Sequence, residues 1–145
     1  MPFSARTYAA VFFAMLIPAS GTVLAQPVYN KADSLAFEKR LISIDESIDK
    51  QKYKEALHLA NEALLFSRQK KTLYGEAWSL IKINEAEINQ EHYSTIQSSP
   101  LFIVQAGKQL GNKQITGIGY LQAAQLKMYG NKPAEAELLF EKSLQ

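Results

Sequence analysis

The chain contains no cysteine, so disulfides, thiolate metal sites and thiol nucleophiles are all excluded, and stability has to come from packing. Histidine is nearly absent, at two residues, which leaves little for a metal or acid–base centre. Five prolines and seven glycines in 145 residues exclude collagen-like and low-complexity sequence. Neither sign of charge is in excess: 16 Lys+Arg face 14 Asp+Glu, a net +2, so no global positive field recruits nucleic acid or anionic lipid. What is present is 47% apolar residues, enough for one ordinary folded domain.

Arg6 is the only charged side chain before Lys31, and the ten-residue apolar run Tyr8 to Ile17 follows it. Pro18 and a small-residue stretch ending Val23-Leu24-Ala25 come next. A basic start, an apolar middle and a small-residue end predict a signal peptide over 1–25, cleaved to leave Gln26 first in a mature chain of 120 residues. The run is too short to cross a bilayer, which takes about 20 residues. The mature chain is therefore expected outside the cytoplasm, periplasmic or extracellular, without a stable membrane span. An uncleaved anchor or a buried N-terminal helix is the alternative.

The mature chain repeats with a period of 40. Tyr53 aligns with Tyr93 and Pro133, Ala56 with Ile96 and Ala136, and Leu64 with Val104 and Leu144. Three units fill it, about 26–65, 66–105 and 106–145. In each first half, Phe37, Leu41, Ile44 and Ile48 recur as Ala77, Ile81, Asn84 and Ile88, then as Gly117, Leu121, Ala124 and Met128. Steps of four, three and four trace one stripe of a helix. The second half of unit one, with Ala56, Ala60, Ala63 and Leu64, has the same spacing and small residues that permit close helix approach. The pattern predicts helices over 33–50, 52–69, 73–90, 92–111, 115–129 and 132–144, paired within each unit. Asp33 or Ser34 is expected to cap the first, Gly111-Asn112 to close the fourth, and Gly130 to Pro133 to form the last turn. Pro100 conflicts with a regular fourth helix, where it would cost about 3 kcal/mol, so a kink or restart is expected there. A single hairpin cannot cover its own stripe, so the pairs must stack.

Tyr53-x-x-Ala56-x-x-x-Ala60-x-x-Ala63-Leu64 and the segment Gly130 to Leu144 resemble second helices of tetratricopeptide repeats. The joint Leu110-Gly111-Asn112-Lys113 with Gly117-x-Gly119-Tyr120-Leu121 is similar to longer repeats of bacterial sensor and regulatory proteins. The 40-residue period exceeds the family's usual length of about 34. The resemblance implies an all-α, right-handed superhelix whose concave face, lined by first helices, holds peptides or partner domains without catalysis, in a bacterial protein. On that face three columns would project together: Glu38/Trp78/Ile118, Asp45/Glu85/Gln125 and Asp49/Asn89/Tyr129. Asp45, Asp49, Trp78, Glu85, Asn89, Gln125 and Tyr129 are the candidate groove, with aromatic anchors among acids and amides. Trp78 and Tyr129 as core, with the carboxylates merely solvated, is the alternative. Asn84, polar in a core column, is either satisfied by a neighbouring helix or turned toward the groove.

Candidate chemistry is sparse. His58 and Glu62 sit four apart on one helix, but a metal site needs more ligands than these. Glu85, Glu87 and Glu91 cluster without a recognisable acid–base motif. Gly117-x-Gly119 lacks a third glycine and follows no strand, so it makes no phosphate cradle. Arg68, Lys70 and Lys71 suit a helix end better than nucleic acid. The expected function is an exported, non-catalytic repeat module for protein or peptide binding, with no cofactor and no metal. The alternative is an extracytoplasmic sensory portion of a larger signalling protein, a histidine kinase or transcriptional regulator. Leu138, Leu139, Phe140 and Leu144 exceed one inward face, so self-association, a partner or a further domain is expected on the last helix.

Overall fold

The computed structural model describes residues 30–96 and 98–145, so the expected leader lies outside the described residues. Within them the chain is all-α: α1 (Lys31–Asp49), α2 (Tyr53–Gln69), α3 (Leu73–Asn89), a short 3-10 turn (Tyr93–Thr95), α4 (Ser99–Gln109), α5 (Lys113–Tyr129) and α6 (Pro133–Ser143). Every expected helix is present, with ends within two residues of those read from the period, except the fourth. That helix breaks as Pro100 requires. It restarts at Ser99 with Pro100 in its first turn, where no intrahelical N–H bond is needed. Ile96 and Pro100 are both buried, so the irregular stretch still contributes to the core.

The cap of α1 is Asn30 rather than Asp33 or Ser34. Its Oδ1 accepts the Asp33 N–H at 2.9 Å while its Nδ2 donates to the Asp33 carboxylate at 2.8 Å. Asp33 thus stands three residues beyond the cap and reciprocates it through the Asn30 side-chain amide, where a capping-box acid would take the backbone N–H. The five interhelical turns share one design. Gln51, Lys71, Glu91, Gly111 and Asn131 all have φ between 54° and 62°, at strict 20-residue spacing. Around each, the N–H of the following residue reaches back to the carbonyl five before it, as Lys52 does to Ser47 and Asn112 to Gly107. The left-handed residue itself bonds three back. This is the Schellman arrangement, and it satisfies carbonyls that the helix end leaves open. In the last turn the left-handed residue is Asn131, not Gly130.

Helices adjacent in sequence pack on one another, and α1 also meets α3, and α3 meets α5. The first helices of successive pairs therefore adjoin. One core cluster joins Phe37, Ile44 and Ile48 of α1 to Ala56, Ala60 and Ala63 of α2 and Ala86 of α3. The alanines let the backbones approach, as their spacing implied. A second cluster joins Ala77 and Ile81 of α3 to Ile103 and Ala106 of α4 and Ile115 of α5. Trp78 and Tyr74 border both clusters.

Each first helix after α1 carries a second buried stripe, turned toward the preceding pair. On α3 it is Gly75, Ser79, Lys82 and Ala86; on α5 it includes Ile115, Gly119 and Gln122. A Cβ at Gly119 would lie 2.8 Å from both the Val104 backbone N and its Cγ2 on α4, which shows how close this contact is. Only hydrogen fits there. Gly107 likewise abuts Thr116 of α5 across the same contact.

Candidate functional site

The candidate groove residues all lie on the first helices, and the structure divides them into three groups. Asp45, on α1, and Glu85, on α3, converge on a residue that sequence reasoning missed. Lys82 Nζ lies 2.6 Å from Asp45 Oδ1 and 2.9 Å from Glu85 Oε2, and its side chain is nearly all buried. Lys82 stands one turn from Trp78 on the stripe facing the preceding pair, so its stem crosses the α1–α3 contact and its ammonium emerges between two carboxylates. Burial works against the charged ammonium, but the Glu85 charge and the hydrogen bond to Asp45 outweigh it, and the pKa of Lys82 rises above its ordinary 10.5. Asp45 and Glu85 are therefore committed to a cation within the chain.

The second group is at the C-terminal ends of the same helices. Asp49, Asn89 and Tyr129 are exposed, at equivalent positions 40 apart, and Asn89 donates to the Glu85 carbonyl at 2.8 Å. Tyr129 stacks on Tyr93, ring centroids 4.3 Å apart and planes 20° from parallel. Burial, with the Glu91 charge and Tyr129 adding to it, raises the pKa of Tyr93 above the usual 10.0. Tyr129 is thus a surface aromatic anchored by a second ring. Gln125 is half-buried on α5.

Trp78 stands apart from both groups. It is half-buried, packs edge-on against Tyr74 with centroids 6.3 Å apart, and its indole N–H is buried without a hydrogen-bond partner. Its ring therefore serves the core that joins the two clusters more than an open surface. Asn84 proves to be satisfied by its neighbours. Its Nδ2 donates to Gln122 Oε1 on α5 at 2.8 Å and its Oδ1 accepts from the Ser99 hydroxyl at 2.8 Å. Gln122 Nε2 in turn donates to the Ile81 carbonyl at 3.1 Å. Lys82 and Gln122 occupy the same register, 40 apart, and each reaches back to the preceding first helix. That recurrence, polar residues between small ones at Gly75, Ser79, Ala86 and Gly119, is the signal by which the sequence could have shown them.

The remaining candidates stay at the surface. His58 and Glu62 are 3.8 Å apart, exposed, and His92 lies 3.0 Å from Glu87. Among the described residues no group of three metal-ligating side chains converges. Arg68 pairs with Glu76 and Lys70 with Asp33, so the basic joint ties α2 to its neighbours. No helix among the described residues is long and apolar enough to cross a membrane. An open depression of about 540 Å³ between the first turn and the end of α3 is lined by Gln51 to Glu55 and Gln90 and includes none of the groove residues. Comparison of the chain with protein-family models, with curated protein sequences and with solved structures found no match.

Proposed function

We propose that this chain is an exported, tetratricopeptide-like repeat module that holds a protein or peptide on the face formed by α1, α3 and α5, and that it is not an enzyme. The observation that carries the reading is the contact of α1 with α3 and of α3 with α5, which joins the first helices of successive pairs into one surface. Asp49, Asn89 and Tyr129 recur along that surface at one register. Tyr129, backed by Tyr93, is the aromatic anchor, and Asp49 and Asn89 are the polar contacts that fix a partner's orientation. The Asp45–Lys82–Glu85 group stiffens the same face from beneath by tying α1 to α3.

Site-directed photo-crosslinking tests this in the native host. A crosslinker at Asp49 or Tyr129 is expected to trap a partner, and one at Leu65, exposed on α2, is not. The Tyr129→Ala variant should then weaken binding of that partner by about tenfold, the effect of removing an interface anchor, with the melting temperature lowered only slightly by the lost stack on Tyr93. Equal trapping from Leu65, or unaltered affinity after Tyr129→Ala, would sink the assignment of this face. Mass spectrometry of the exported chain is expected to find Gln26 at its start.

A further inference from the structure

The stripe by which each first helix meets the preceding pair is complete on α1 but is covered by no other helix among the described residues. Leu35, Lys39, Ile42 and Glu46 of α1 correspond, 40 and 80 residues on, to Gly75, Ser79, Lys82 and Ala86 and to Ile115, Gly119, Gln122 and Leu126. The α3 residues of this set are all buried, and those of α5 are buried or half-buried. On α1 all four are exposed, Leu35 at 54% and Ile42 at 58%. Two large aliphatic side chains thus stand exposed at an interface register, alternating with one cation and one anion.

We infer that this outer stripe of α1 pairs with the same stripe of a second copy, antiparallel, about a two-fold axis between Ile42 and Ser43. The charges select this occupant. An antiparallel pairing centred between Ile42 and Ser43 brings the two Ile42 side chains beside each other and sets Lys39 opposite Glu46 of the other copy, twice, because the two charges are evenly spaced about that centre. The same pairing brings the Lys50 stem of one copy over Leu35 of the other. Lys39 makes no ion pair among the described residues, and the contact of Glu46 is an exposed one with Lys50 at 3.4 Å, so both are available.

Head-to-tail stacking on α6 is the competing arrangement, and the register rejects it. Inside the chain, the residues equivalent to Lys39 are the small Ser79 and Gly119, both buried, and at Gly119 even a Cβ would approach the Val104 backbone N to 2.8 Å. A lysine at that place holds α6 of another copy away, so the array closes as a pair of copies instead of growing as a filament.

Sedimentation equilibrium of the purified chain is the test. A reversible dimer is expected, with a dissociation constant on the order of 10–100 µM for an interface this small. Lys39→Glu should weaken it by about tenfold, since two ion pairs become two repulsions. The double exchange Lys39→Glu/Glu46→Lys should restore it, which only a reciprocal pairing of this stripe predicts. Ile42→Asp should give monomer with an unchanged circular dichroism melt. A monomer at all concentrations, a dimer indifferent to Lys39→Glu, or one abolished by Leu144→Asp at the end of α6 while the exchange on α1 has no effect would each overturn the inference. Asp49 continues the same α1 stripe, so partner trapping at Tyr129, on α5, is the separate measurement by which a failure of dimerisation and a failure of partner binding are distinguishable.

Discussion

Lys82 is buried because its stem fills a stripe position, and it stays charged because Asp45 and Glu85 meet its ammonium. Its pKa is higher in the folded chain than its ordinary 10.5, so the stabilisation it provides is complete below that value and is lost as pH rises through the folded pKa. Tyr93, also raised above its usual 10.0, acts in the same direction. The melting temperature is therefore expected to fall on the alkaline side, beyond about pH 10, and Lys82→Met should flatten that fall. At neutral pH the same substitution should cost about 1–2 kcal/mol in chemical denaturation, less than a fully buried pair because Asp45 is half in solvent. At this scale the sequence was partly legible. Asp45 and Glu85 lay in one column, but their cation did not, because Lys82 belongs to a different stripe of α3 and reaches them only through the length of its side chain. Trp78 was read as a groove anchor as readily as core, and the packing of Tyr74 and both clusters around it favours core.

Helices and turns follow from local rules, and here the sequence was most informative. Apolar spacing placed every helix but the fourth to within two residues, and Pro100 announced the break that shortens the fourth. The turns were less legible, because four of the five left-handed positions are not glycine. Gln51, Lys71 and Glu91 each hold a conformation that costs an L-residue about 1–2 kcal/mol. The surrounding carbonyl bonds impose it. Changing each of these three to glycine is expected to raise stability by about 0.5–1 kcal/mol in urea titrations, the relief of strain exceeding the added freedom of the unfolded chain. Gly111→Ala should do the reverse by a similar amount. If the three glycine variants all destabilise, the common turn geometry is wrong.

At the scale of the molecule, the pairs are joined by a contact that single-helix patterns do not reveal. Gly119 and Gly107 allow α4 and α5 to touch, and Gln122, Asn84 and Ser99 connect α5 to α3 and to the start of α4. Gly119→Ala should cost about 1–3 kcal/mol by forcing these helices apart, whereas alanine at exposed Gly130 should be nearly neutral; thermal melts of both variants check the difference. The last helix shows why position in the array matters. Leu144 is 70% exposed although its equivalents Leu64 and Val104 are 8% and 6% exposed, since α3 and α5 lie beside those two. By itself the sequence determined the helices, their pairing and their 40-residue rhythm, because periodicity and capping act within a few turns of one chain segment. Only the tertiary structure decided which of two stripes faces the neighbouring pair, where Lys82 finds its carboxylates and which leucines remain wet. Those outcomes depend on surfaces meeting across some 40 residues of sequence, and the same side chain is buried or exposed according to whether another pair lies against it.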